Sequence, residues 1–196
     1  AWGTAFGQVV ADAGNDVMMW GIEPEIIDAI NTKHTNPVRL PVVKELPHSI
    51  RATLDRAEAV KDAEIIIVAI AAQFARQALE EFAGLIPSNA IVVSLMKGIE
   101  RSTDKRMDEV VTEALNLPME RFAAVSGPNL SKEVAQRQPA AAVVASVNRQ
   151  AAEKVAAAAT NDYFKMFVTD DVVGVEMCGS LKNVTALAVG MARGAG

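Results

Sequence analysis

A single cysteine, Cys178, stands in the 196 residues, so no internal disulfide can form, and a reducing cytoplasm fits this composition. Two histidines accompany it, His34 and His48. Neither lies at ligand spacing from the other or from Cys178, which leaves a Cys/His metal site without support. Both read as surface or loop residues. Basic charge is not in excess either: 19 Lys and Arg against 24 Asp and Glu give a net charge of -5, scattered without any basic stripe, and the electrostatic footprint of a nucleic-acid binder is missing. Long apolar runs are also absent. The longest strongly apolar one, IIIVAIAA from Ile65 to Ala72, falls far short of the roughly 20 residues that cross a bilayer, and it reads as a buried strand with no membrane span. The N-terminal AWGTAFGQVV has neither the basic region nor the apolar core of a signal peptide. What remains, 51% hydrophobic and 22% charged, suffices for a real core, and any chemistry must come from lysines, polar side chains or a cofactor.

Periodicity sets out an alternation of strands and helices. A helix is expected from Thr4 to Ala13, with Phe6, Val9, Val10 and Ala13 on one face and Gly14-Asn15 as the stop. A strand DVMMW, a helix PEIIDAINTKH opened by proline, a loop punctuated by Pro37, Pro41 and Pro47, and a short helix around LDRAEAVKDA follow. EIIIVAI and AIVVSL read as buried strands, separated by a helix QFARQALEEFAGLI and followed by one around DKRMDEVVTEALN. Continuous β-branched runs between helices point to an α/β fold, a Rossmann-like, doubly wound, mainly parallel sheet covered on both faces. Three further strands, RFAAVSG, AAAVVAS and FKMFV, alternate with helices around SKEVAQR and RQAAEKVAAAA. From Asp170 the chain turns into a Gly- and Ala-rich helical segment, read as the start of an all-helical second domain. The division is therefore 1–169 and 170–196.

Four places can carry chemistry. Trp2-Gly3 stands at the start of the first helix, where exposed backbone N–H groups and the helix dipole suit an anion, or where glycine merely allows a tight turn. Lys97 follows AIVVSLM directly, at the carboxyl end of a parallel strand, the end where open α/β sheets bind ligands, with Gly98 to turn the chain. In SGPNLSKE, Gly127-Pro128 ends a strand, and Asn129 or Ser131 can cap the next helix with Glu133 in its first turn. Lys182 is the only charged residue between Glu176 and Arg193. Either its stem covers apolar surface while its head reaches water, or it sits in a cleft as an acid/base.

AWGTAFGQVVADAGNDVMMW, LMKGIE, SGPNLSKEVAQRQPAAAVVAS and DVVGVEMCGSLKNVTALAVGMARGAG together resemble the bacterial NAD(P)-dependent sn-glycerol-3-phosphate dehydrogenase family over essentially the whole chain. The resemblance implies a fragment in which Gly3 is the last glycine of a G-x-G-x-x-G turn, with the first strand and most of the C-terminal helical domain missing, and which alone is inactive. It implies hydride transfer between NAD(P)H and dihydroxyacetone phosphate, giving sn-glycerol 3-phosphate for phospholipid synthesis in the cytoplasm. Trp2, Gly3, Lys97 and Ser131 would then meet the cofactor, and Lys97, Gly127, Asn129, Lys182 and Asn183 the substrate. The catalytic lysines would be Lys182, as proton acceptor, and Lys97. Lysine near its ordinary pKa of ~10.4 is a poor base at neutral pH, so apolar neighbours and the Lys97 charge are expected to depress Lys182. NADP-preferring relatives carry an arginine where Ile22 stands, and the acidic Glu23 beside it leans the cofactor expectation toward NAD or mixed use. The oligomeric state stays open, a homodimer included. Two other readings are a 6-phosphogluconate- or ketopantoate-type reductase, against which SGPNLSKE speaks, and a cofactor-sensing module without chemistry, against which the presence of both lysines speaks.

Overall fold

In the computed structural model, which describes residues 1–196, local signals end each element where the sequence changes character. Helix α1 (Trp2–Asp12) precedes strand β1 (Val17–Trp20), and α2 (Pro24–Lys33) has proline in its first turn and stops at His34 in the left-handed conformation. Strand β2 (Ile50–Thr53) and helix α3 (Arg56–Val60) follow, the latter capped by the Asp55 carboxylate accepting from the Glu58 N–H at 2.9 Å. Then come β3 (Ile65–Val68), a 3-10 turn at 72–74, α4 (Ala75–Glu80), β4 (Ile91–Ser94), α5 (Met107–Leu115), a second 3-10 turn at 119–121 and β5 (Phe122–Ser126). The chain ends with α6 (Ser131–Ala135), β6 (Ala140–Ala145), α7 (Arg149–Ala159), β7 (Phe164–Thr169) and the long α8 (Val172–Gly194), capped by the Asp171 carboxylate accepting from the Gly174 N–H.

The sheet is mainly parallel, as expected, but falls into two parts. Strands β3-β4-β5-β6-β7 form one, parallel except at the antiparallel β5–β6 pair, and β1-β2 form the other. Alternating side chains build a layer on each face of the larger sheet. Phe6, Val93, Val125, Val144 and Phe164 pack with α1 and α7, while Val92, Val110, Phe122 and Ala124 pack with α4 and α5. All four residues of β4 are buried.

Three expectations change. Ile65 to Ile67 of β3 are only half-buried, because β3 pairs with β4 alone and its other edge is open. The helix read over QFARQALEEFAGLI is broken into a 3-10 turn, α4 and further turns, since Phe82, Ala83 and Leu85 donate to carbonyls three residues back and Gly84 takes φ 81°. Strand β2 lies inside what reads as a loop, and it pairs with β1 in the register Val17 to Ile50.

Helix α8 also departs from the reading made on apolar runs. By length and composition it could cross a membrane, with a mean hydropathy of 1.3 over its 18-residue window, 11% of it buried. The polar Ser180, Lys182, Asn183 and Thr185 interrupt it, so no continuous run announces it.

Candidate functional site

The carboxyl ends of β4 and β5 and the first turns of α8 meet at Lys97. Beyond the buried Leu95 and Met96 the chain turns at Gly98, whose φ of 133° is a glycine conformation. The Lys97 Nζ donates to the Gly127 carbonyl at 2.9 Å. Gly127 is there for space: a Cβ would sit 2.8 Å from the Ala141 carbonyl oxygen and 3.1 Å from the Ala142 Cα. The lysine loop is held from behind. Arg76 grips the buried Glu100 carboxylate at 3.0 and 2.8 Å, and the Gln73 amide donates to the Ile99 carbonyl at 2.8 Å.

Helix α8 docks directly on these strand ends. A Cβ on Gly179 would come 2.6 Å from Ser126 Oγ and 3.7 Å from Lys97 Cγ, so the helix backbone lies against both. The Ser180 hydroxyl accepts from the Gly98 N–H at 3.0 Å and donates to the Glu176 carbonyl at 2.9 Å. The lysine loop and α8 are thereby one unit. Lys97 keeps contact with water, yet its pKa is pushed down, first by partial burial and second by the charge of Lys182. The charge of Lys182 is thus felt at Lys97, and Lys182 itself is exposed. Lys182 and Asn183 lie on the stretch of α8 from Leu181 onward, all of whose residues are exposed.

One turn earlier, α8 carries the buried Glu176. Its Oε2 accepts from the Asp108 N–H at 3.3 Å and lies 3.8 Å from Arg106 Nε, while Arg106 also pairs with Asp108 at 3.0 Å. The other oxygens, Glu176 Oε1 and Asp108 Oδ1, are buried without a hydrogen-bond partner. Burial first, and then hydrogen bonding to Asp108, push the Glu176 carboxyl up to about 8. A carboxyl that retains its proton is a donor, which a carboxylate is not. An open cleft of about 480 Å³ lies beside this cluster, lined by Arg106, Asp108, Thr112 and Val172, rather than at the two lysines.

The start of α1 is the second focus. No acidic side chain and no side-chain cap occupies its first turn, so the N–H groups of Trp2, Gly3 and Thr4 are open to an anion. Trp2 tilts on Phe6, centroids 5.8 Å apart, and is half-buried. A Cβ on Gly3 would be 3.1 Å from Ala69 Cβ and one on Gly98 would be 3.4 Å from Ala72 Cβ, so the short stretch after β3 touches both foci. This donor set fits the pyrophosphate of a dinucleotide. Asn129 and Ser131 are partly exposed on the β5–α6 connection, and neither caps the helix: Leu130 holds the cap position without any side-chain bond. Glu133 is in the first turn, as read. His34 and His48 stack at 3.9 Å in the α2–β2 connection.

Three participants escape a reading of the sequence. Ser180 and Glu176 sit beside the lysine motif, and a lone buried acid early in an apolar helix was the available signal for the second. Arg39 pairs with Glu23, though 16 residues separate them, and only the folded loop shows it.

Comparison with known proteins accounts for these motifs. Residues 1–152 match the family model described as the NAD-dependent glycerol-3-phosphate dehydrogenase N-terminus, and residues 171–196 match that of the C-terminus. Glycerol-3-phosphate dehydrogenase [NAD(P)+] of Bifidobacterium longum is 70% identical over all 196 residues, and that of Streptomyces griseus 46%; the chain spans 59% and 58% of their lengths. The crystal structure of glycerol-3-phosphate dehydrogenase from Coxiella burnetii superposes with a TM-score of 0.87 at 29% identity, covering 98% of this chain and 58% of that one. The Plasmodium falciparum glycerol-3-phosphate dehydrogenase structure gives 0.88 at 31%, covering 98% and 56%. Matched over both parts by the family's models, and end to end by its bacterial members, the chain belongs to the NAD-dependent glycerol-3-phosphate dehydrogenase family.

Proposed function

We propose that the full-length protein carrying this chain reduces dihydroxyacetone phosphate to sn-glycerol 3-phosphate with NADH or NADPH. The observation that carries this reading is the pair of ammonium groups, Lys97 and Lys182, assembled where the ends of two strands meet α8. A ketone phosphate carries negative charge, and its carbonyl needs a proton as it is reduced; two adjacent cations serve both needs. The nicotinamide, when bound, supplies the hydride. Its pyrophosphate would lie on the N–H groups of Trp2 and Gly3, with Ser131 as a further contact.

Lys182 gives the proton to the carbonyl oxygen and takes it back in the reverse direction. Lys97, tied to the Gly127 carbonyl, holds the substrate and keeps a second cation beside the first. Asn183 would orient the substrate through its amide, and Gly127 and Asn129 would border it. The division of labour follows the fold: residues 1–169 hold the dinucleotide, and 170–196 open the helical domain that closes over the substrate. On this reading protein, rather than lipid, covers the exposed apolar side chains of α8, and the enzyme is cytoplasmic.

The test is NADH and NADPH oxidation with dihydroxyacetone phosphate by the full-length protein and its Lys182→Met variant. A loss of about 10²–10⁴-fold in kcat with retained dinucleotide affinity is expected for removal of an acid/base. A variant nearly as active as the parent would overturn the role given to Lys182, and an inactive parent the substrate.

A further inference from the structure

Glu23 occupies the cap position of α2, three residues after β1, and lies 20 residues beyond Gly3. In dinucleotide-binding folds an acid at about that interval meets the 2′-hydroxyl of the adenosine ribose, and an arginine nearby can take a 2′-phosphate instead. Ile22 stands where such an arginine is expected after the strand, and it is 73% exposed. The guanidinium comes from elsewhere. Arg39 reaches across from the proline-punctuated loop and pairs with Glu23, both side chains partly open to water at 54% and 37% exposure.

The placement of Arg39 is built rather than accidental. The buried Asn36 uses its amide at both ends: Nδ2 donates to Thr4 Oγ1 at 3.0 Å, and Oδ1 accepts from the Arg39 N–H at 3.1 Å. Arg39 is thus one side chain removed from the first turn of α1. The next residue, Leu40, is 1% exposed and packs with Ala5 of the same helix and Ala135. Through Asn36 and Leu40 the ion pair is tied to the first turn of α1, the helix N-terminus offered to the pyrophosphate.

We propose that Arg39 is the 2′-phosphate ligand of this chain and that its pairing with Glu23 lets one site accept both NAD(H) and NADP(H). With NAD(H), the pair stays formed and Glu23 still accepts the 2′-hydroxyl. With NADP(H), the guanidinium leaves the exposed carboxylate for the more highly charged phosphate, which it can grip with two N–H groups. An exposed ion pair is worth little, so this exchange costs little. Glu23 alone would repel the phosphate; Arg39 removes that bias.

The inference rests on the dinucleotide reading above, and its test separates the two. Dissociation constants for NADH and NADPH would be measured by nicotinamide fluorescence on the full-length protein, its Arg39→Gln, Arg39→Lys and Glu23→Gln variants, with 2′-AMP and 5′-AMP as competitors. Arg39→Gln should weaken NADPH by about tenfold or more, the worth of a charge-assisted hydrogen bond, with NADH changed less than about twofold. Arg39→Lys should recover part of the loss, Glu23→Gln should tighten NADPH, and 2′-AMP should lose its competition in Arg39→Gln while 5′-AMP keeps it. Arg39→Gln weakening both cofactors alike, or neither, with the parent binding NADH normally, overturns this assignment alone. A parent that binds neither cofactor overturns it together with the dinucleotide reading.

Discussion

Charges in this molecule are placed so that a neighbour decides their state. Lys97 is depressed because it gives up water on one side and faces Lys182 on the other, and its one fixed partner, the Gly127 carbonyl, is neutral. Glu176 is the reverse case, a carboxyl whose pKa burial and Asp108 raise more than the Arg106 guanidinium, 3.8 Å away, lowers it. Linkage gives the sign: the native state binds the Glu176 proton more tightly than the unfolded chain does. The resulting stabilisation is complete below the ordinary value of 4.5 and is lost progressively as pH rises to about 8. Glu176→Gln carries the donor permanently, and thermal melts across that window should show a flatter fall than the parent, with the variant gaining on it toward alkaline pH. Glu176→Leu should cost about 1–3 kcal/mol, because the Asp108 N–H loses its acceptor in a buried site. Parallel melting curves for parent and Glu176→Gln would show that no proton is held there.

Elements meet at the site through missing side chains, and the two glycines concerned should respond differently. At Gly127 a new methyl would strike the backbone of β6, which cannot step aside. At Gly179 it would strike the Ser126 hydroxyl, which can rotate. Gly127→Ala is therefore expected to destabilise by about 1–3 kcal/mol and Gly179→Ala by clearly less, as measured by chemical denaturation. Equal costs would mean that β6 moves or that α8 is as rigidly seated as the strand. This level also shows what the sequence could not convey. The order of most helices and strands and both faces of the larger sheet were legible from periodicity, and the place of Lys97 at a strand end from its position after AIVVSLM, whereas its link to Lys182 came only from the family resemblance. Strand β2 was not, since IRAT is four residues long and becomes a strand only by pairing with β1. The half-buried state of β3 was illegible for a related reason: burial depends on which element packs alongside, and an apolar run looks the same with or without one.

Across the whole molecule, the two parts of the sheet are unequally supported. Strand β4 is paired on both sides and lies between apolar clusters of 16 and 14 buried residues, whereas β1 and β2 pair only with each other over a cluster of six. Local opening costs scale with such burial and pairing, so in residues 1–196 the amides of β4 and β5 should be the slowest to exchange with deuterium and those of β1 and β2 the fastest among the strands. Lys97 and the Glu23–Arg39 pair fall on opposite sides of this divide. Lys97 and its contacts with α8 belong to the well-supported part. Glu23 and Arg39 hang on β1, α2 and the proline loop, tied to α1 through Asn36. A ligand stabilises what it binds by mass action, so NADPH at 100 times its dissociation constant should add up to about 2.7 kcal/mol of protection. That gain should concentrate in β1, β2 and residues 34–47, since β4 and β5 are already closed without it. Uniform protection across all seven strands would instead mean that the sheet opens as one body, and that the ribose end is no looser than the end where the lysines meet.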